Sequence, residues 1–282
     1  MTNGYQPLTW AEILAYEIPD LEWTVEGILP RASATLLTAR EKSGKGLLAL
    51  DLCVSVALGE TFLDRAVTQG PTIYLAGEEN LREVRYRLSE RINGLTDVEV
   101  YVLLLNGQTE DSLRFEDPES LMRFEAMVKE IEPAVVVFDA MREFHNGQED
   151  SSDEMAPMLR PWRQVSHANN VAMIVNHHMN KSGSSRGSTA ILASFDQGWA
   201  FRRSDIDPND MVGSDAKPRG VLVVEGRFGP RVAESIELGD HLRWIKQAAP
   251  SLASDATVPE SVRHHLTQRS AWMTARQIAD GL

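Results

Sequence analysis

The sequence predicts an α/β fold with a mainly parallel central sheet flanked by helices, and three observations support this. Strand-like apolar runs alternate with helical stretches from residue 34 onwards, a pattern typical of a parallel sheet covered on both faces. The pair Gly44-Lys45 lies where the first run gives way to a helical stretch. A later apolar run ends in Asp139, at the kind of strand end where open α/β sheets bind ligands.

The first 33 residues are predicted to form an N-terminal arm that packs against the main domain, which spans 34–246. Within this core, apolar runs predict strands at 34–38, 72–76, 100–105, 134–139, 171–176, 197–202 and 220–225. Helices are predicted at 47–58, 80–92, 119–131 and 155–168. No helical stretch separates the last two strands, so we expect them to form an antiparallel edge joined by the Asp- and Pro-containing segment 204–219.

The composition changes after the core. Residues 247–256 are predicted to be a linker, and 257–282 are predicted to form a tail of two short helices. We detect no internal repeat and no low-complexity block.

Composition and charge limit the classes of function. With 43% hydrophobic residues, the 282-residue chain has enough apolar side chains for a globular core. The single cysteine, Cys53, provides neither a disulfide framework nor a cysteine-based zinc site. We expect a cytoplasmic protein with no membrane contact, because no apolar stretch reaches the ~20 residues of a membrane span. The net charge of −13 argues against a broadly basic, DNA-coating surface but is compatible with a localised cationic site.

The segment 38–46 has the layout of a phosphate-binding loop, in which backbone N–H groups surround a polyphosphate at a helix N-terminus. Two positions depart from the usual pattern: Ala39 replaces the first glycine, and Gly46 replaces the Ser or Thr whose hydroxyl normally holds Mg²⁺. The alternative is a surface turn with two lysines. On the first interpretation, the nucleotide-binding residues are Lys42, Ser43, Gly44, Lys45, Gly46 and Leu47.

Acidic residues follow two of the predicted strands. Asp139 is expected to contact Mg²⁺ or one of its waters; the alternative is a loop or capping aspartate. Glu78 and Glu79 follow the strand 72–76, and a carboxylate there can polarise an attacking water. The alternative, a charged start to the next helix, suits Glu79 better than Glu78.

Two histidines, His177 and His178, lie at the end of the strand 171–176. Adjacent side chains on a strand point to opposite faces, which disfavours a shared zinc site. A polar relay to the γ-phosphate fits better, and a metal-dependent hydrolase using both histidines with Asp139 ranks last. The next segment is predicted to be a nucleic-acid-contacting loop, with a plain surface loop as the alternative; its candidate contacts are Lys181, Arg186 and Ser188.

Arg227 follows the last predicted strand and begins a tight turn. An arginine in such a place can enter a neighbouring subunit's nucleotide site and stabilise charge on the transferring phosphate. The competing candidates for this role are Arg202 and Arg203 on the adjacent strand.

Together these residues resemble the RecA-like ATPases of the RepA type, which include hexameric replicative helicases and related plasmid and phage AAA-family ATPases. The resemblance covers about residues 20–246 and is carried mainly by the segments 39–45, 137–139, 175–178 and 186–191. The turn 225–230 also resembles the arginine-finger turn of DnaB-type helicases. The tail is similar to the opening two helices of a winged-helix domain and stops before a recognition helix.

The resemblance implies a RecA-like core that binds ATP and Mg²⁺. It implies the following roles: Lys45 binds phosphate, Glu78 is the catalytic base, Asp139 lies on the magnesium side, His178 senses the γ-phosphate and Arg227 is the finger. Glu225 departs from the family, since helicases of this kind often carry a second cation there. Because Gly46 departs from it too, Gly46→Ser or Gly46→Thr is expected to raise Mg²⁺-dependent hydrolysis.

Two functions remain open. The first is an ATP-driven helicase or loader that forms a homo-oligomeric, hexameric ring on single-stranded DNA in replication or recombination. The second is a nucleotide-binding regulatory or DNA-binding protein with weak or no hydrolysis, which Gly46 favours.

Overall fold

The computed structural model describes residues 7–17, 20–105, 113–149, 151–179, 189–204 and 217–247. The chain divides into two compact units, Met1–Lys246 and Gln247–Leu282, and the described helices and strands belong to the first. The predicted tail 257–282, most of the predicted linker, and Lys181, Arg186 and Ser188 lie outside the described residues.

The described strands are β1 (Trp23–Val25), β2 (Leu29–Pro30), β3 (Ser33–Ala39), β4 (Thr72–Ala76), β5 (Val100–Leu104), β6 (Val135–Asp139), β7 (Ala172–His178), β8 (Gln197–Arg203), β9 (Arg219–Gly226), β10 (Val232–Leu238) and β11 (Trp244–Lys246). The described α-helices are α1 (Trp10–Ala15), α2 (Lys45–Leu58), α3 (Leu81–Ile92), α4 (Pro118–Ile131), α5 (Ser152–Ala168) and α6 (Thr189–Ala193). Short 3₁₀ helices span Met141–Phe144 and Asp240–Leu242.

Nine of these strands form one sheet in the order β11-β10-β9-β8-β3-β7-β6-β4-β5. Pairing is parallel from β8 through β3, β7, β6 and β4 to β5. It is antiparallel between β8 and β9, as predicted, and continues antiparallel through β10 to β11. The predicted fold class, a mainly parallel sheet with an antiparallel edge and flanking helices, is therefore confirmed.

The antiparallel edge is wider than the sequence predicts, because β10 and β11 were not predicted. In β10 the buried positions alternate and include Glu234 beside the apolar Ile236 and Leu238. A glutamate at a buried position hides the period-two pattern that identifies a strand. Two cations compensate its charge: Arg65 Nη2 donates to Glu234 Oε1 at 2.6 Å, and Lys246 Nζ donates to the same oxygen at 3.0 Å.

The sheet has an apolar layer on each face. Alternate residues of β3, β6 and β7 contribute to opposite faces, as expected for extended strands. Helices α2 and α3 cover one face, which includes Leu37, Val137 and Ile174. Helices α4 and α5 cover the other, which includes Leu36 and Phe138.

The N-terminal segment before β3 contributes to the first of these layers. Strands β1 and β2 pair antiparallel, and Ile28 between them is buried. The carbonyl oxygen of Ile28 accepts hydrogen bonds from Gln197 Nε2 at 2.7 Å and Trp199 Nε1 at 3.2 Å. Helix α1 has no buried residue. Among the described helices, none is both long and apolar enough to cross a membrane.

A buried ion pair joins helix α2 to helix α3. Arg91 Nε donates to Asp51 Oδ1 at 2.5 Å, and the Arg91 guanidinium also contacts Ser55 and Glu60 at 3.0 Å each. Burial raises the pKa of Asp51, and the guanidinium of Arg91 opposes that rise. The backbone N–H of Trp244, in β11, donates to the other Asp51 oxygen at 2.7 Å. The pair therefore connects the helix after the phosphate loop to the far edge of the sheet.

Arg91→Met is expected to lower the free energy of unfolding by about 3–5 kcal/mol, because it leaves the Asp51 carboxylate buried without its cation. Urea denaturation would measure the loss. The matched control is Arg85→Met, which removes an exposed arginine from the same helix. Equal stability of the two variants would contradict a structural role for the pair.

Candidate active site

The segment between β3 and α2 has the backbone geometry of an anion-binding loop. Gly44 has a φ of 94°, and Lys42 also lies in the left-handed region with a φ of 57°. A Cβ atom at Gly44 would lie 3.2 Å from the ring of Trp244. No side chain caps the N-terminus of α2, so its first backbone N–H groups are available to a ligand.

Three predicted residues meet at the carboxyl ends of the strands. Lys45 Nζ lies 3.1 Å from both ring nitrogens of His178, and His178 Nε2 lies 3.0 Å from Glu78 Oε1. The carboxylate accepts the hydrogen bond when the imidazole proton is on Nε2, which leaves Nδ1 to accept from Lys45. The structure thus links a lysine, a histidine and a glutamate by consecutive side-chain contacts.

The charges along this series of contacts affect one another. Burial lowers the pKa of Lys45, while the carboxylates of Asp139, Glu78 and Glu41 act in the opposite direction. The hydrogen bond from His178 lowers the pKa of Glu78 against the effect of partial burial, and Lys45 adds to that lowering. Glu78 is therefore ionised at neutral pH, which a base requires.

Gly77 brings the ends of β4 and β6 together. Its N–H donates to the carbonyl oxygen of Asp139 at 2.7 Å. A Cβ atom at this position would lie 2.5 Å from Glu143 Cβ and 3.2 Å from the carbonyl oxygen of Asp139. Only glycine fits this approach, and it places Glu78 beside the end of the Asp139 strand.

The Asp139 carboxylate is held by a tyrosine that sequence reasoning missed. The Tyr74 hydroxyl donates to Asp139 Oδ2 at 2.5 Å, and both residues are buried. Burial and the negative charge of Asp139 raise the pKa of Tyr74 well above its ordinary value. The hydroxyl therefore keeps its proton and acts as the donor. Tyr74 lies within an apolar run, where the sequence gives no sign that its polar end faces the site.

Gly46 directly faces this carboxylate. A Cβ atom built there would lie 2.6 Å from Asp139 Oδ2 and 3.6 Å from the Tyr74 hydroxyl. The space that a Ser or Thr side chain needs is thus taken by the Asp139 carboxylate. The expectation that Gly46→Ser or Gly46→Thr raises hydrolysis stays a prediction, and it requires that the end of the Asp139 side chain first move aside.

Glu79 has a more specific place than the start of a helix. Its carboxylate pairs with Arg87 of α3, and its Oε1 atom lies 3.6 Å from the Cβ position at residue 46. Its Oε2 atom is buried with no hydrogen-bond partner among the described residues. The sequence predicts neither the role of Arg87 nor the inward position of Glu79. A charged residue next to the start of a helix does not indicate which way its side chain points.

The two histidines face opposite sides of the sheet, as their adjacency predicts. His177 is buried on the side away from Lys45. It lies near Glu149, whose pKa is lowered mainly by a hydrogen bond with His145 against the effect of partial burial. No group of three His, Cys, Asp or Glu side chains in the described ranges is placed to hold a metal ion. His177, His178 and Asp139 therefore do not form a shared metal site among the described residues.

The candidate finger residues border a separate cavity. Arg227 and Arg202 both line a cavity of about 620 Å³ between β8, β9 and α6, which neither Lys45 nor Glu78 borders. Arg227 is 63% exposed, with Nη1 3.6 Å from Asp196 Oδ1. Arg203 follows Arg202 on an extended strand and so projects to the other face. The described chain thus brings Lys45, Glu78, His178 and Asp139 together but not Arg227.

Comparisons with known proteins show the family of this chain and a similar fold. The family model described as "AAA domain" matches residues 3–184, more than half of the chain. Among solved structures, a KaiC-like protein from the hyperthermophilic archaeon Pyrococcus horikoshii OT3 is similar in fold, with a TM-score of 0.54 and 13% sequence identity. The similarity covers 80% of this chain and 94% of that chain.

Proposed function

The chain belongs to the AAA domain family, and from that premise we propose that its active site binds ATP with Mg²⁺ and hydrolyses the nucleotide. The observation that carries the proposal is the line from Lys45 through His178 to Glu78, with contacts of 3.1 and 3.0 Å. A cation that binds phosphate and an ionised carboxylate that can orient water are thereby joined through one polar side chain.

The residues present fit a magnesium-bound nucleotide. Asp139 and Glu79 direct carboxylate oxygens toward Gly46, and oxygen atoms are the ligands that Mg²⁺ prefers. Glu79 Oε2 and both polar atoms of the buried Asn176 amide lack hydrogen-bond partners in the part of the chain that the structure describes. When bound, Mg²⁺ neutralises charge on the phosphates.

The chain's own residues have separable roles in this proposal. The backbone of the loop and Lys45 bind the phosphates. Glu78 orients a water and accepts its proton, which its lowered pKa allows at neutral pH. His178 contacts both Lys45 and Glu78, so a phosphate that displaces one contact also affects the other. These contacts support His178 as the sensor of the γ-phosphate.

The finer proposal is a cytoplasmic ring that acts on single-stranded DNA, as in the RepA-type helicases that the sequence resembles. Arg227 is exposed and borders a cavity that Lys45 does not, which supports a finger acting on a neighbouring subunit. A finger in trans requires a homo-oligomer, for which we propose a hexamer. The cationic residues that follow β7 in sequence, Lys181 and Arg186, are the proposed DNA contacts.

A second candidate function is a nucleotide-binding regulatory protein that hydrolyses ATP poorly. It is favoured by Gly46, which supplies no hydroxyl for Mg²⁺. The two candidates differ in turnover and in its response to DNA. ATP turnover measured with and without single-stranded DNA, together with the oligomer mass from light scattering, separates them. Turnover that is negligible in both conditions would leave the regulatory function.

Glu78→Gln is expected to reduce ATP turnover by about 10²–10⁴-fold, because it removes the general base while keeping the size of the side chain. Nucleotide affinity, measured by calorimetry, should stay near the wild-type value. Glu125→Gln, on the surface of α4, is the matched control and should hydrolyse ATP normally. Normal turnover in Glu78→Gln would exclude Glu78 as the base.

A further inference from the structure

We propose that Tyr74 compensates for the hydroxyl missing at residue 46, not by binding Mg²⁺ itself but by holding the Asp139 carboxylate toward a magnesium-bound nucleotide. Tyr74 is then a positioning residue of the site, acting through Asp139. This inference rests on the proposed nucleotide binding and concerns how this chain tolerates a glycine where a phosphate loop usually carries Ser or Thr.

The geometry around residue 46 supports a role for the Tyr74 hydroxyl where a phosphate loop usually carries a Ser or Thr hydroxyl. The Cβ position at Gly46 has three side-chain oxygens around it: Asp139 Oδ2 at 2.6 Å, the Tyr74 hydroxyl at 3.6 Å and Glu79 Oε1 at 3.6 Å. A serine hydroxyl at this position would enter the same small volume. The Tyr74 hydroxyl reaches that volume from strand β4 and contacts the same carboxylate oxygen.

The energetics of burial explain why this bond is fixed. Tyr74 is fully buried in the apolar layer beneath α2, and a buried hydroxyl is costly unless it is hydrogen-bonded. Its partner is Asp139 Oδ2, and a bond from a neutral donor to a carboxylate is among the stronger hydrogen bonds. Tyr74 therefore restricts the rotation of the Asp139 side chain and keeps one oxygen toward Gly46.

Tyr74 and residue 46 consequently depend on each other. With the tyrosine present, a side chain at 46 meets a carboxylate that cannot turn away without losing its bond. With phenylalanine at 74 that bond is gone, and a serine at 46 can donate to Asp139 in its place. A serine should thus be harmful in the first background and helpful in the second.

The test compares the wild type with Tyr74→Phe, Gly46→Ser and two double variants, Tyr74→Phe/Gly46→Ser and Tyr74→Phe/Gly46→Ala. Calorimetry measures the affinity for ADP in excess Mg²⁺ and again in EDTA, and thermal melting monitors folding. Mg²⁺ should raise the affinity for ADP in the wild type. In Tyr74→Phe the ratio of the affinity with Mg²⁺ to that in EDTA should be about 10-fold smaller, the typical effect of losing one hydrogen bond to a charged group. Affinity in EDTA should be nearly unchanged, a split that a merely structural role would not produce.

The serine double variant should recover most of the Mg²⁺ effect, and the alanine double variant should not, since it adds the same Cβ without a hydroxyl. Equal behaviour of the two double variants would overturn the proposal, even if Tyr74→Phe alone is destabilised. An unchanged Mg²⁺ effect in Tyr74→Phe would overturn it while leaving nucleotide binding intact. If the wild type bound no ADP in either condition, the proposed function itself would fail with it.

Discussion

Lys45→Ala is expected to abolish detectable binding of ATP and ADP. Lys45 is buried at the start of α2 and faces Asp139, Glu78 and Glu41, whose charges stabilise its protonated form. Removing the ammonium group takes away the positive charge opposite the phosphates. It also leaves two carboxylates, Asp139 and Glu78, near a polyanionic ligand without their nearest cation. Both effects oppose binding.

Isothermal calorimetry with ADP measures the loss directly. Lys129→Ala is the matched control, because it removes a lysine from the surface of α4 that is 62% exposed and paired only with Glu125 in the described residues. An affinity in Lys45→Ala equal to that of the control would refute the phosphate-loop assignment. Thermal melting of both variants would show whether a loss of binding reflects a loss of folding.

Arg227→Ala is expected to reduce ATP turnover by about 10³–10⁵-fold while nucleotide affinity changes little. An arginine finger acts on charge that develops in the transition state, so its loss affects the rate more than the binding. The turn that carries Arg227 is held in place, because the backbone N–H of Arg227 donates to the carbonyl oxygen of Asp196 at 3.2 Å. The side chain itself is 63% exposed, as a finger directed at a neighbouring subunit would require.

Mixing experiments test whether the finger acts in trans. Arg227→Ala subunits keep the phosphate loop, and Lys45→Ala subunits keep the arginine, so mixed oligomers regain complete interfaces. Turnover should reappear when the two inactive proteins exchange subunits. Arg231→Ala, which removes another exposed arginine from the same turn, should remain active. Absence of recovery despite verified exchange would favour Arg202, which lines the same cavity, over Arg227.

The sequence predicts the parallel part of the sheet well because its strands are continuous apolar runs. Each of the seven predicted strands is present, and the carboxyl ends of β4, β6 and β7 meet near the phosphate loop. This common edge brings Glu78, Asp139 and His178 together. Their contacts follow from the order of the strands in the sheet. The sequence predicts that the sheet is mainly parallel, but it does not predict this order.

Other parts of the site cannot be predicted from the sequence. Tyr74 could not be assigned because an aromatic residue in an apolar run indicates a buried strand and not a hydroxyl directed at a carboxylate. The tight fit at Gly46 depends on the position of Asp139, which comes from a different strand. Strand β10 was missed for a related reason, since the charge of Glu234 is compensated by Arg65 and Lys246, both remote in sequence.

Trp244 contacts the phosphate loop and helix α2 through different parts of the same residue. Its ring lies against Gly44, while its backbone N–H donates to the Asp51 carboxylate of α2. Ordering a residue's backbone costs about 1–2 kcal/mol in conformational entropy. Because the edge of the sheet folds against the loop, this cost falls on folding and not on the binding of an anion. We therefore expect the loop's affinity for an anion to depend on a strand that ends the first compact unit, far along the chain from the glycine-lysine pair.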